Sequence, residues 1–303
     1  MPSIKLIKIS FIIILFLLLI TKNKNDDFTP NIKVCLCSPA KKENRYLREF
    51  VEHYKSYNVD KILLYDNNDI NGEHFEEVIN DYVQSGFVII KDFRGKKNAL
   101  YEMMNNCYKN NYLVYDWMIF YEIDEYIYLK NYTNIKKFLS EKKFEKCETI
   151  QLNWLMHTDN NQIYYENKPI KIRFPYSKKN VSIAGIKSIL KGKIPNININ
   201  CVHKLNYNLI TCDGFGNRTN ITGAGTFNLD YEYYYIDHYF CKSTEEFINK
   251  INKGDVLFSM KYFQERIKVY FSINNVTKEK ADYMEKHLCK NISLKSFIKN
   301  YKF

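Results

Sequence analysis

Three carboxylates stand within four residues at Glu122-Ile123-Asp124-Glu125, directly after the apolar run WMIFY. Along an extended chain Glu122 and Asp124 fall on one side. Carboxylates this close repel one another, and a cation or basic partners must offset the repulsion. Hard oxygen ligands of this kind suit Mg²⁺ and Mn²⁺. A second chemically capable group is Asp237-His238-Tyr239-Phe240-Cys241-Lys242-Ser243, and Lys187 and His203 stand apart from both. Spacing alone does not bring His238 to the acidic turn. The chain has no P-loop, no G-x-G-x-x-G, no H-E-x-x-H and no G-x-S-x-G, so the common phosphate cradles and hydrolase signatures are missing.

The elements that must position these residues alternate in type. Residues 32–38 read as a buried strand, and 43–57 as a helix with Tyr46, Leu47, Phe50, Val51 and Tyr54 at helical spacing. A second strand at 61–66 ends in the turn cluster Asp66-Asn67-Asn68-Asp69. A helix over about 73–84, a strand at 87–90, a helix over 97–110 and a strand at 116–123 follow. This repeat predicts an α/β fold with a mostly parallel central sheet and helices on both faces. Right-handed crossovers then align the C-terminal strand ends along one edge, where ligands bind. That edge carries Ser38, Asp66, Lys91-Asp92 and Tyr121 to Glu125. In the second half, strands are expected at 148–155, 183–190 and within Tyr231 to Phe240, and helices at about 243–252, 260–270 and 278–289. No linker rich in Gly, Pro and Ser divides the halves, so a single domain is expected over 31–303.

The run Ile9 to Ile20 is almost uninterrupted in its apolar character and lacks an A-x-A cleavage pattern after it. It predicts one transmembrane signal-anchor over 9–21, after a short tail 1–8 and before a stem 22–30. Mean hydropathy of −0.42 excludes a multi-span membrane protein, and 46% hydrophobic residues exclude a wholly disordered one. The net charge is +11, yet no run of five basic residues occurs, so no nucleic-acid partner is expected. Eight cysteines without a C-x-x-C pair argue against a zinc ribbon; an even number behind an anchor permits disulfides in an oxidising compartment. Six N-x-S/T sequons, at Asn131, Asn180, Asn217, Asn220, Asn275 and Asn291, are about twice the chance expectation.

Several segments in order resemble glycosyltransferase family 92 and the related family-2-like glycosyltransferases. Lys42-Glu43-Asn44 with Tyr46-Leu47 and Glu49 is similar to the family's N-E-x-x-Y-L-x-E opening with its first two residues transposed. Asp60 to Asn67 resembles its V-D-x-I-x-x-Y-D-N strand, and Asp116-Trp117 through Ile127 its D-W-x-x-F-x-D-x-D-E-F-I segment. Asn153-Trp154, Lys187-Ser188-Ile189, His203, and His238-Tyr239 with Lys242-Ser243 and Glu246-Phe247 continue the match. Two departures stand out: Glu122 replaces the first acid of D-x-D, and Met156-His157 replaces a Phe-Gly. The resemblance implies a GT-A-like fold, a UDP-sugar donor (UDP-galactose for family 92), a glycan acceptor and inversion. Carried over, it implies Glu122, Asp124 and His238 as ligands of Mn²⁺ or Mg²⁺. It implies Glu43, Asp66 and Lys187 on the donor, and a carboxylate base for which Asp159 and Asp213 are the candidates. Together with the anchor, the expectation is a single-pass type II membrane protein with its catalytic domain in the Golgi or secretory lumen, although Lys5 and Lys8 balance Lys22 and Lys24 across the apolar run. The rival expectation is a non-catalytic glycan-binding protein that keeps the fold, motivated by Glu122.

Overall fold

The structure is a computed structural model, and it describes residues 30–179, 185–201, 203–205, 208–219, 229–253 and 260–288. The expected anchor and all of the expected stem except Pro30 lie outside the described residues, among which no helix is long and apolar enough to cross a membrane.

Strands β1 (Val34–Ala40), β2 (Lys61–Asp66), β3 (Val88–Asp92) and β4 (Trp117–Phe120) alternate with helices α1 (Asn44–Ser56), α2 (Glu76–Gln84) and α3 (Leu100–Asn111). There follow β5 (Glu125–Leu129), α4 (Ile135–Leu139), β6 (Thr149–His157), α5 (Ile170–Arg173), β7 (Ser177–Lys178), β8 (Ile186–Lys191), β9 (Thr211–Cys212) and β10 (Tyr234–His238). Helices α6 (Thr244–Asn252), α7 (Met260–Ile273) and α8 (Lys278–His287) close the described chain.

Side-chain alternation along the strands builds two faces. Val34, Leu36, Ile62 and Leu64 point to the face covered by α1 and α2, and Cys35, Cys37, Leu63 and Tyr65 to the face covered by α3. Helix α1 buries Tyr46, Leu47, Phe50, Val51 and Tyr54, while its N-cap Glu43 makes no side-chain cap. Five buried side chains at roughly 1.5–3 kcal/mol each outweigh a missing cap of about 1 kcal/mol, so packing holds this helix. Asn58, at φ 59°, takes the left-handed turn that ends it. Helices α6, α7 and α8 make a third cluster, with Phe247, Ile251, Ile267, Tyr270 and Met284 buried around Met156 of β6.

The strands join one sheet in the order β3-β2-β1-β4-β8-β6-β10-β5, with β7 and β9 also paired to β6. The expectation of a mostly parallel sheet is corrected here. The block β3-β2-β1-β4 is parallel, as is β6-β10, but β8 runs antiparallel to β4 and β6, and β5 antiparallel to β10. The sheet is mixed because β8 and β10 slot between strands that precede them in sequence. The fourth strand is also shorter than expected. It stops at Phe120, and the acidic residues occupy a turn that leads into β5.

Two disulfides staple the sheet to its surroundings. Cys37–Cys107 ties β1 to α3, and Cys147–Cys212 ties the entry of β6 to β9, with Cα separations of 6.3 and 5.8 Å.

Candidate functional site

Strands β1, β2, β4, β6 and β10 all present their C-terminal ends at one edge, and a cavity of about 870 Å³ opens there. Its walls come from Ala40 at the end of β1 and Lys41 after it, Asn67 after β2, the Lys96–Leu100 segment, the acidic turn, Trp154 and Met156 of β6, and the end of β10.

The acidic turn closes on itself. Glu122 donates its backbone N–H to Glu125 Oε2 at 2.9 Å, and Glu125 returns its own N–H to the Glu122 carbonyl at 3.1 Å. Each outward acid then meets a lysine. Lys187 Nζ lies 2.5 Å from Glu122 Oε1 and 3.4 Å from Glu125 Oε1. Lys250 Nζ, from α6, lies 2.5 Å from Asp124 Oδ2. Burial alone would raise both acids, but Lys187 holds Glu122 down to about 2, and Lys250 and then His238 hold Asp124 well below the carboxylate range. Glu125, wholly enclosed, is pushed up to about 8 by burial. Three adjacent acids thus split into two carboxylates held by lysines and one acid that keeps its proton at neutral pH.

His238 reaches this turn because β10 pairs with β5, with His238 opposite Glu125. Its Nε2 is 3.7 Å from Asp124 Oδ2, and its Nδ1 is buried without a hydrogen-bond partner. Burial lowers its pKa. The ring packs on Trp154 at 4.3 Å between centroids, and Trp154 also meets His203 edge-on at 5.2 Å. The indole Nε1 of Trp154 is buried and unpartnered. Gly185 is required beside it, because a Cβ there would fall 1.9 Å from Trp154 Cε3.

Helix α6 is fixed for this task. Ser243 and Glu246 form a reciprocal capping box, and the buried Glu246 carboxylate also takes Arg173 and the Tyr46 hydroxyl. One turn later on that helix stands Lys250.

The structure gathers Glu43, Glu122, Asp124 and His238 around one cavity, with Lys187 directly behind Glu122. Glu43 is ion-paired to Lys253 and lies 3.9 Å from Lys242. The other expected residues sit elsewhere. Asp66 is 3% exposed; its Oδ2 takes Arg94 at 2.7 Å and its Oδ1 the Asn68 N–H, so the neighbouring Asn67 faces the cavity instead. Asp159 is clamped by Lys280 at 2.7 Å and the Tyr270 hydroxyl at 2.6 Å. Asp213 caps its own turn, accepting the N–H groups of Phe215 and Asn217 at 2.9 Å. Neither Asp159 nor Asp213 lines the cavity, so neither is placed to take a proton there. His157, one of the two departures, bridges the Phe174 carbonyl and Asp237 under the sheet, while Met156 faces the cavity.

The expected ligands do not fit a divalent cation as they stand. Ligands at right angles around Mg²⁺ lie roughly 3 Å apart. Here Glu122 is turned to Lys187, an ammonium already sits on Asp124 Oδ2, and His238 is 3.7 Å away. Among the described residues no three His, Cys, Asp or Glu side chains meet around a common point.

The sequence profile of Glycosyltransferase family 92 matches residues 31–267. The chain belongs to glycosyltransferase family 92. The matched segment includes Glu43, the acidic turn and Lys250. Among solved structures, S. aureus TarS 1–349 in complex with UDP aligns at a TM-score of 0.38 and 12% identity, over 90% of this chain and 76% of that one. The mannosyltransferase PcManGT from Pyrobaculum calidifontis, in complex with GDP-Man and Mn²⁺, aligns at a TM-score of 0.32 and 8% identity, over 41% of this chain. The chain spans 36% of PcManGT and 43% of the longer S. aureus TarS structure. Curated protein sequences give no significant match.

Sequence reasoning missed Lys250 and Arg266, both at the cavity. A signal for Lys250 was present: it stands four residues after Glu246 on the same helix, so a capped α6 presents both on one face.

Proposed function

We propose that this family 92 domain transfers a hexose from a nucleotide diphosphate sugar, with UDP-galactose as the first candidate donor, to a glycan hydroxyl with inversion. The observation that carries this reading is the acidic turn, set against Lys250 and Lys187 at the C-terminal edge of the sheet. The nucleoside would lie over Ala40 and Asn67, which puts the diphosphate toward the turn. In a single displacement the acceptor oxygen bonds to the anomeric carbon as that carbon's bond to the phosphate oxygen breaks. The electron pair leaves with the diphosphate, and the hydroxyl proton passes to a carboxylate of the cavity. With Asp159 and Asp213 placed elsewhere, that carboxylate is sought among Glu43, Glu122, Asp124 and Glu265. The flat wall of Trp154 and Met156 offers the apolar surface on which a sugar ring stacks.

The two disulfides fit an oxidising compartment. Together with the apolar run Ile9 to Ile20, they support a lumenal domain on a membrane anchor. The test of the activity is transfer from a panel of radiolabelled sugar nucleotides to glycan acceptors, with Asp124→Asn beside the wild type. Transfer by the wild type, reduced by about 100-fold or more in the variant, is expected. Undiminished transfer by Asp124→Asn sinks the mechanism. Glycan binding without any nucleotide binding would favour the non-catalytic reading instead.

A further inference from the structure

The acidic turn already has its cations, and they are built into the chain. Lys187 is 2% exposed in its side chain and bonded to Glu122. Lys250 is 16% exposed, and its ammonium lies on Asp124 and 4.6 Å from the Phe240 ring centroid, at the cavity wall. Neither is a loosely held surface lysine. Lys250 is carried by a helix whose N-terminus is locked by the Ser243–Glu246 capping box and the buried Arg173–Glu246 ion pair. Lys187 stands in β8, hydrogen-bonded between β4 and β6.

The charge balance of the cavity points the same way. Among the described residues its lining holds six cations, Lys41, Lys96, Lys97, Lys250, Lys253 and Arg266. Against them stand the carboxyls of Glu43, Glu122, Asp124, Glu125 and Glu265. Behind the lining Lys187 and Lys242 add two positive charges, while Asp69 and Glu102 pair with Lys41 and Lys96. A nucleoside diphosphate carries about three negative charges at neutral pH, because its terminal phosphate has a pKa near 6. The cavity therefore brings several cations to such an anion before any ion is added. A metal bonded to Asp124 Oδ2 would also stand against the ammonium that now occupies this oxygen.

We propose, resting on the transferase reading above, that Lys250 takes the place of a divalent cation at the donor diphosphate. Lys187 supports it by holding Glu122. In this arrangement Asp124 is a positioning residue: it aims the Lys250 ammonium at the phosphates rather than ligating a metal. Donor binding is then independent of divalent cations.

The test is calorimetric titration of UDP, and separately of GDP, into the full-length chain, in EDTA and in Mn²⁺. In EDTA the wild type is expected to bind one of the two within about threefold of its affinity in Mn²⁺. Lys250→Met should weaken binding in EDTA by about 10- to 100-fold, the cost of one bond to a charged group. Lys250→Arg should retain most of the affinity. Binding by the wild type only with Mn²⁺, or unchanged binding by Lys250→Met in EDTA, overturns the proposal. Mn²⁺-dependent binding would leave the transferase reading standing. Absence of nucleotide binding in both media removes the two together. Should Lys250→Met fail to fold, the wild-type comparison between EDTA and Mn²⁺ still decides.

Discussion

Glu246→Gln isolates the device that fixes helix α6. The native carboxylate is 5% exposed and its partner Arg173 1% exposed. Its two oxygens accept both terminal nitrogens of Arg173, the Tyr46 hydroxyl at 2.5 Å, and the hydroxyl and N–H of Ser243 at 2.5 and 3.1 Å. The amide keeps the shape and removes the charge, which leaves a guanidinium buried without its counter-ion. Losing one partner of a buried pair costs about 3–5 kcal/mol. The weakened capping box accounts for about 1 kcal/mol of that. For a domain with a total stability of roughly 5–15 kcal/mol this is a large fraction. The assay is urea unfolding followed by circular dichroism, for Glu246→Gln, Arg173→Met and the double variant. The double variant should cost at least about 2 kcal/mol less than the sum of the singles, because it removes both buried charges together. Against burial, Arg173 and Ser243 hold the Glu246 pKa below its ordinary value of 4.5. The pair's contribution is therefore present above pH 4.5 and is lost as pH falls, so wild type and Glu246→Gln should converge in acid. A single-variant cost below about 1 kcal/mol, or strict additivity in the double, would refute the reasoning.

Glu125 gives a second pH signature of opposite sign. Its folded pKa of about 8 lies above the ordinary 4.5, so the folded state binds the extra proton and stability falls as pH rises through this window. The slope is about 1.4 kcal/mol per pH unit, clearest between roughly 6.5 and 8, where unfolded histidines have already lost their protons. Glu125→Gln should lack this decline; identical pH profiles for the two proteins would contradict it. Gly185→Ala must move the Trp154 indole, and should cost about 1–3 kcal/mol and weaken ligand binding in the cavity, read by unfolding and titration. Removing Cys147–Cys212 by double serine substitution frees a separation of 65 residues and should cost about 4 kcal/mol, with a change under 1 kcal/mol counting against the staple.

The first half of the fold was legible because its signals are local. The spacing of Tyr46, Leu47, Phe50, Val51 and Tyr54 marks α1, and KILLYD marks β2 almost to the residue. The acidic turn, too, declares itself by charge density at the end of an apolar strand. What sequence did not show is long-range. EYIYL is not among the strands expected above, yet it forms one, because the chain reverses at the acidic turn and pairs with β10. The slots of β8 and β10 depend on pairings that no local period encodes. Asp159 and Asp213 share the polar-turn setting expected of a catalytic base. In the fold that setting serves a buried clamp on Lys280 and a local Asx-type cap. Asp66 fell to the same ambiguity, since a buried acid at a strand end pairs as readily with Arg94 as with a ligand.

The slot of β10 also sets an order of events during synthesis. The bond between Lys250 and Asp124 spans 126 residues, and the strand that separates β5 from β6 emerges only after both. At a translation rate of about 5–20 residues per second, the acid turn waits for several seconds or more without its lysine partner. Through that interval β5 has no neighbour in the sheet, and its free edge invites wrong pairing. A chain that stops short of β10 therefore leaves β5 unpaired and the cavity without His238 and Lys250. The last-made part of the cavity acts as the seal on the first, and quality control of folding and competence for catalysis become one event.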